Sequence, residues 1–167
     1  MLGWIGGAAF AHLEVAEDGT ASGRFRADTV FFMPARPHAA PPLESMTLGV
    51  GDVSHTKLDP ELLRDYTALF VAQLAVPHTK HAWANGDILA LHDVESGSGA
   101  DVRPAEDGGW LVHQHGPLRL WDAVEEVLTV WSDARRPDPS AFTLTVTPDR
   151  QWISFGGPEW LSWDLPA

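Results

Sequence analysis

Histidine and tryptophan, eight of each, are the residues of this 167-residue chain best equipped for chemistry or recognition. His113 and His115 stand two apart in Trp110 to His115, a run that reads as a strand. Both imidazoles then leave one face, as paired metal ligands require. His78 and His81 form a second pair, three apart. A metal site of the cupin kind also needs a carboxylate a few residues after the first pair. Leu118, Arg119 and Leu120 stand there instead, so the plainer reading is two half-exposed histidines on an edge strand. Nucleophilic chemistry has little to work with: there is no cysteine, and no serine sits in a G-x-S-x-G elbow. Gly97-Ser98-Gly99 lacks a lysine, a third glycine and a strand-to-helix switch, while Gly3, Gly6 and Gly7 precede a strand. Neither run supports a nucleotide or adenosyl site.

Recognition is the next possibility. Trp110, Trp121 and Trp131 fall in apolar contexts and belong to a core. Trp83, Trp160 and Trp163 fall in polar or terminal contexts and are the better candidates for a partner surface. Arg119 flanks the start of a predicted helix, where it can meet a substrate carboxylate; an isolated arginine more often makes a surface ion pair worth little. These four residues are the candidate substrate-binding set, and His113 with His115 is the alternative metal set.

Charge removes several partner classes. Eleven basic residues face 23 acidic ones, a formal −12, with no Lys/Arg cluster to attract a phosphate backbone. Nucleic acid is therefore excluded as a partner. No apolar run approaches the ~20 residues that cross a bilayer. The apolar N-terminus has no basic flank and is interrupted by His12 and Glu14, so it reads as a strand and not a signal peptide. The absence of cysteine fits a cytoplasmic protein.

The densest structural signal is Gly116 to Phe155. Leu118, Trp121, Val124, Leu128 and Trp131 recur at three- and four-residue steps, with Arg119, Asp122, Glu125, Ser132 and Asp133 largely opposite. Pro117 suits the first turn of that helix, Arg135 and Arg136 suit its last, and Pro137 blocks continuation. Phe142 to Thr147 and Gln151 to Phe155 then form a hairpin across Thr147-Pro148-Asp149-Arg150. Upstream, Ala8 to Val15 and Thr20 to Met33 form another hairpin, signalled by Asp18-Gly19. Its second strand turns apolar on both faces at Val30 and Phe32, which implies covering neighbours. Pro34 to Pro42 is a proline-rich connection, and one strand is expected around Met46 to Val50. Asp59 caps a helix that opens with Pro60 and Glu61, buries Leu62, Leu63, Tyr66, Leu69, Phe70 and Leu74, and stops at Pro77. The predicted class is α+β, with an N-terminal β-hairpin followed by a small antiparallel sheet and two packed helices.

Three segments together carry a family resemblance: Gly6 to Arg36, ending in Phe32-Met33-Pro34-Ala35-Arg36; Thr56 to Leu63, with Leu58-Asp59-Pro60; and Gly116 to Glu125 with Leu144 to Phe155. In order and spacing they resemble the C-terminal region of actinobacterial methyltransferases related to protein-L-isoaspartate O-methyltransferase. The nearest group is the one associated with ATP-grasp peptide maturase systems. The resemblance implies a Rossmann-like domain, upstream of residue 1, that binds S-adenosylmethionine and methylates a side-chain carboxylate of a ribosomal peptide. The ester can close to an aspartimide, and the C-terminal extension engages the peptide. It also implies three parts: residues 1–36 as the last strands of the methyltransferase sheet, 37–43 as a linker, and 44–167 as a substrate-recognition domain. No catalytic or cofactor-binding residue of the family falls within this chain. The implied partners are a precursor peptide or protein and a methyltransferase domain or subunit. Two other readings stand beside this one: a free-standing peptide- or protein-binding module, and a small metalloenzyme using His113 and His115. An exposed apolar hairpin also favours a homodimer through residues 8–33.

Overall fold

A computed structural model describes residues 8–30, 46–106, 108–156 and 161–165. Their strands form two five-stranded sheets, antiparallel throughout. Sheet one consists of β1 (Ala8–Val15), β2 (Ala21–Val30), β8 (Phe142–Val146), β9 (Gln151–Phe155) and β10 (Leu161–Asp164), in the order β1-β2-β8-β9-β10. Sheet two consists of β3 (Asp52–Thr56), β4 (Thr79–Ala84), β5 (Ile88–Asp93), β6 (Gly99–Pro104) and β7 (Trp110–His115), in the order β3-β7-β6-β5-β4. Two helices, α1 (Tyr66–Ala75) and α2 (Leu120–Asp133), pack together between them. The class is α+β with an N-terminal hairpin, in a layered sheet–helix–sheet arrangement.

Aromatic residues join the helices to sheet one. Phe70 of α1 meets Phe25 of β2 edge-on at 5.1 Å and Phe142 of β8 at 5.4 Å. Such pairs contribute roughly 0.5–1.5 kcal/mol beyond the area they bury. Val71, Val127 and Trp131 close on Phe142, Phe155 and Trp163 around one small void. On the other side α2 packs over β5, β6 and β7, so one continuous core runs through both interfaces.

Local chemistry explains the turns. Asp18 accepts a hydrogen bond from the Thr20 amide at 2.9 Å while Gly19 adopts a positive φ, closing the first hairpin at Asp18-Gly19. Thr147 N donates to Arg150 O across the second, as its turn signal implies. The first hairpin is not an appendage. Ser22, Gly23 and Arg24 pair with Thr145, Leu144 and Thr143, so β2 is bonded on both sides and continues the C-terminal sheet. Phe32 to Arg36 and the linker expected at 37–43 lie outside the described residues.

Three boundaries differ from expectation. The strand expected at 46–50 is irregular, and the strand follows at Asp52–Thr56. Asp59 and Pro60 open a 3₁₀ turn, Pro60–Arg64; Asp65 then caps α1, accepting from the amides of Thr67 and Ala68 at 2.9 and 3.0 Å. The second helix begins at Leu120 and not at Pro117, which leaves Leu118 46% exposed. Its cap comes from another element: Gln114 of β7, fully buried, accepts from Trp121 N at 2.8 Å and donates to Asp122 at 2.7 Å. At the far end Arg135 and Arg136 take left-handed φ values, and Arg136 N bonds back to Trp131 O. The helix therefore closes just before Pro137.

Gln114→Ala leaves the Trp121 amide without its acceptor inside the core. The expected loss is about 2 kcal/mol, read from the urea midpoint at unchanged slope. A loss under about 0.5 kcal/mol would show that the cap does not hold the helix.

Candidate functional site

Sheet two turns one face to the helices and the other away from them. Leu89, Leu91, Val102, Val112 and Gln114 face inward and are buried. Strand alternation sends their neighbours outward: Lys80 from β4, His92 from β5, Asp101 and Arg103 from β6, and His113 and His115 from β7.

Asp101 is the centre of this face. Its carboxylate, 1% exposed, accepts from Arg103 Nε at 2.8 Å and Arg103 Nη2, from His113 Nδ1 at 3.2 Å and from the Gly49 amide. A buried carboxylate is tolerated only when so supplied with donors. The cluster anchors the 46–51 segment to the sheet and orients His113 with its Nε2 outward. His115 lies across the neighbouring strand: a Cβ on Gly99 would fall 2.3 Å from its Nε2, so only glycine fits beneath the ring. His113 and His115 do share a face, as their spacing requires. Asp101 already occupies one nitrogen of His113, and among the described residues no group of three His, Asp or Glu can hold a metal ion.

The other candidates are dispersed. Trp83 is half-buried at the edge of sheet two, on the helix-facing side, with the Arg64 guanidinium 3.8 Å above its ring. Trp163 is half-buried at the edge of sheet one, 6.4 Å from Phe142. Arg119 bridges β3 and α2, donating to Asp122 at 3.1 Å and Asp52 at 2.9 Å. The Asp122 bond first, and both carboxylates together, raise its pKa. Binding a substrate carboxylate there means displacing one of these partners. Trp160 lies outside the described residues. Trp83, Arg119 and Trp163 therefore do not converge on one pocket.

Asp101, Lys80 and His92 escaped the sequence reading. The strand signal of Asp101 was present in the alternation Ala100-Asp101-Val102-Arg103, but the glycine before it reads as a turn. Burial pushes the Lys80 pKa down, and among the described residues no carboxylate partners it. Burial also lowers the pKa of His81, which faces the core with an unpartnered Nδ1.

The described residues do not fit the adenosyl cofactor that the family resemblance implies upstream. Gly97-Ser98-Gly99 leads into a strand, and its serines are tied to each other and to Asp93. The N-termini of α1 and α2 are already capped by Asp65 and Gln114, which leaves neither open to a ligand phosphate or carboxylate. Comparison with protein-family models, curated proteins and solved structures finds no match to this chain.

Two measurements follow. Asp101→Ala leaves a half-buried guanidinium and an imidazole without their acceptor; the expected loss is about 3 kcal/mol by chemical denaturation, and a neutral result contradicts the anchor. For His81, a folded pKa below the unfolded value means that the unfolded chain binds the extra proton. Its contribution to stability is present above the ordinary imidazole pKa of about 6.5 and is lost as pH falls through it. His81→Leu should therefore flatten the fall in Tm between about pH 7.5 and pH 5.5, and an unchanged slope contradicts this.

Proposed function

We propose that this chain is a recognition module. It is the peptide-engaging C-terminal portion of an S-adenosylmethionine-dependent protein carboxyl O-methyltransferase of ribosomal peptide maturation. By itself it transfers no methyl group; it binds and orients a precursor peptide beside an active site carried by a methyltransferase domain or subunit, a contribution of position and not of bond-making. The resemblance spread over three segments supports this reading.

The observation that carries it is the outer edge of β1. Over Ala21 to Arg24, β2 is bonded to β1 on one side and β8 on the other, so there a further strand can join the hairpin only at β1. Among the described residues that edge has no neighbour. Phe10 and Val15 on the same strand are 51% and 75% exposed. An eight-residue edge with exposed apolar side chains is a template for added backbone. The same edge supports a second reading, in which a free-standing module captures an extended peptide as an added strand. A second copy of the chain is the third possible occupant.

Titration with S-adenosylmethionine should give no saturable binding; clear binding at about micromolar Kd removes the first reading. Pull-downs with a precursor peptide, with and without a methyltransferase subunit, separate the first two readings. Replacing Phe10 and Val15 with lysine should abolish capture while changing stability by no more than about 0.5 kcal/mol. Undiminished capture by that variant removes the β1 edge as the docking site.

A further inference from the structure

On the outer face of sheet two, Lys80 is the cross-strand partner of His92, His92 that of Gly99, and Gly99 that of His115. Adjacent strands lie about 4.8 Å apart, so one row crosses four strands with two imidazoles and an ammonium on the same side. β6 contributes Gly99 to the row, and the His115 ring lies over it in the space a side chain would have taken. Among the described residues, none of these three groups has a carboxylate or hydrogen-bond partner: Lys80 is in no ion pair there, and His92 and His115 make no hydrogen bond. In a chain with 23 acidic residues and 11 basic ones, that is an unusual concentration of unpartnered nitrogen donors.

We propose that Lys80, His92 and His115 form a binding site for a phosphate dianion, carried by a small molecule or by a phosphorylated peptide. Three donors in a row over a glycine can each direct an N–H at one phosphoryl group, and charge-assisted bonds of this kind are the strong ones. The surrounding groups do not oppose it. Asp101, the nearest carboxylate on this face, is consumed by Arg103 and His113. Glu95, in the turn after β5, pairs with His78 at 3.3 Å. The 46–51 segment that packs onto the face contains no charged residue, and Asp52 bonds to Arg119 on the opposite side of the sheet. The −12 of the whole chain acts weakly here, since at physiological ionic strength charges beyond about 8 Å are screened. A phosphate backbone, long and repelled along its length, still finds no track. This site is independent of the β1 edge and stands whatever docks there.

Inorganic phosphate titrated into the full chain, followed by calorimetry and by the imidazole proton resonances, tests the site. Saturable binding is expected at about pH 7.5, where inorganic phosphate is mainly the dianion, with Kd near or below about 1 mM. The His92 and His115 resonances should move, and His12 on β1 should not. His92→Gln with His115→Gln, and separately Lys80→Met, should each weaken binding about tenfold or more at an unchanged Tm. A phosphoserine peptide that binds more tightly than inorganic phosphate identifies a peptide-borne ligand; equal affinity identifies a small one. Absence of saturation, or equal shifts across all the histidines, overturns the proposal.

Discussion

The Gln114 carboxamide is the contact on which the arrangement depends. It belongs to β7 yet caps α2, and it is buried with both ends satisfied. That single side chain fixes where the helix begins, and hence how the helix layer sits between the sheets. It also fixes the parity of β7. With Gln114 committed inward, His113 and His115 must both point outward, where Asp101 holds one and Gly99 makes room for the other. A one-residue slip of β7 would bury both imidazoles and expose the cap.

What the sequence disclosed follows from how local each signal is. Asp18-Gly19 and the turn at Thr147 to Arg150 are set by neighbours in the chain, and each appears where its chemistry predicts; Asp59-Pro60 likewise starts a turn, but a 3₁₀ one that precedes α1. The buried stripe of Trp121, Val124, Leu128 and Trp131 was legible for the same reason. The start of α2 was not, because its cap comes from another element and Pro117 offered a plausible local alternative. Nor was β6, whose opening glycine answers to the His115 ring on the adjacent strand. Asp101 reads as a loop residue until Arg103, His113 and Gly49 are seen to converge on it. Arg119 was read as a candidate for a substrate carboxylate with a surface ion pair as the commoner case, and the fold shows the two carboxylates that hold it.

The same distinction applies to the hairpin at the N-terminus. Its apolar character pointed to covering neighbours; what the fold adds is an edge partner, β8, at Ala21 to Arg24. This pairing makes β2 interior over Ala21 to Arg24 and leaves β1 as the open edge there. The docking reading rests on that inversion, since a hairpin attached only through its linker would present either edge. Chemistry and recognition thus separate in space: a charged face on sheet two, and an unpaired backbone edge on sheet one.

The most direct test is backbone NMR of the full chain, for cross-strand contacts between β2 and β8. The structure predicts nuclear Overhauser contacts linking Gly23 with Leu144 and Ser22 with Thr145, together with slow amide exchange along β2. Their absence, with β2 amides exchanging as fast as those of an open edge, would make the hairpin an appendage and remove β1 as the defined docking edge.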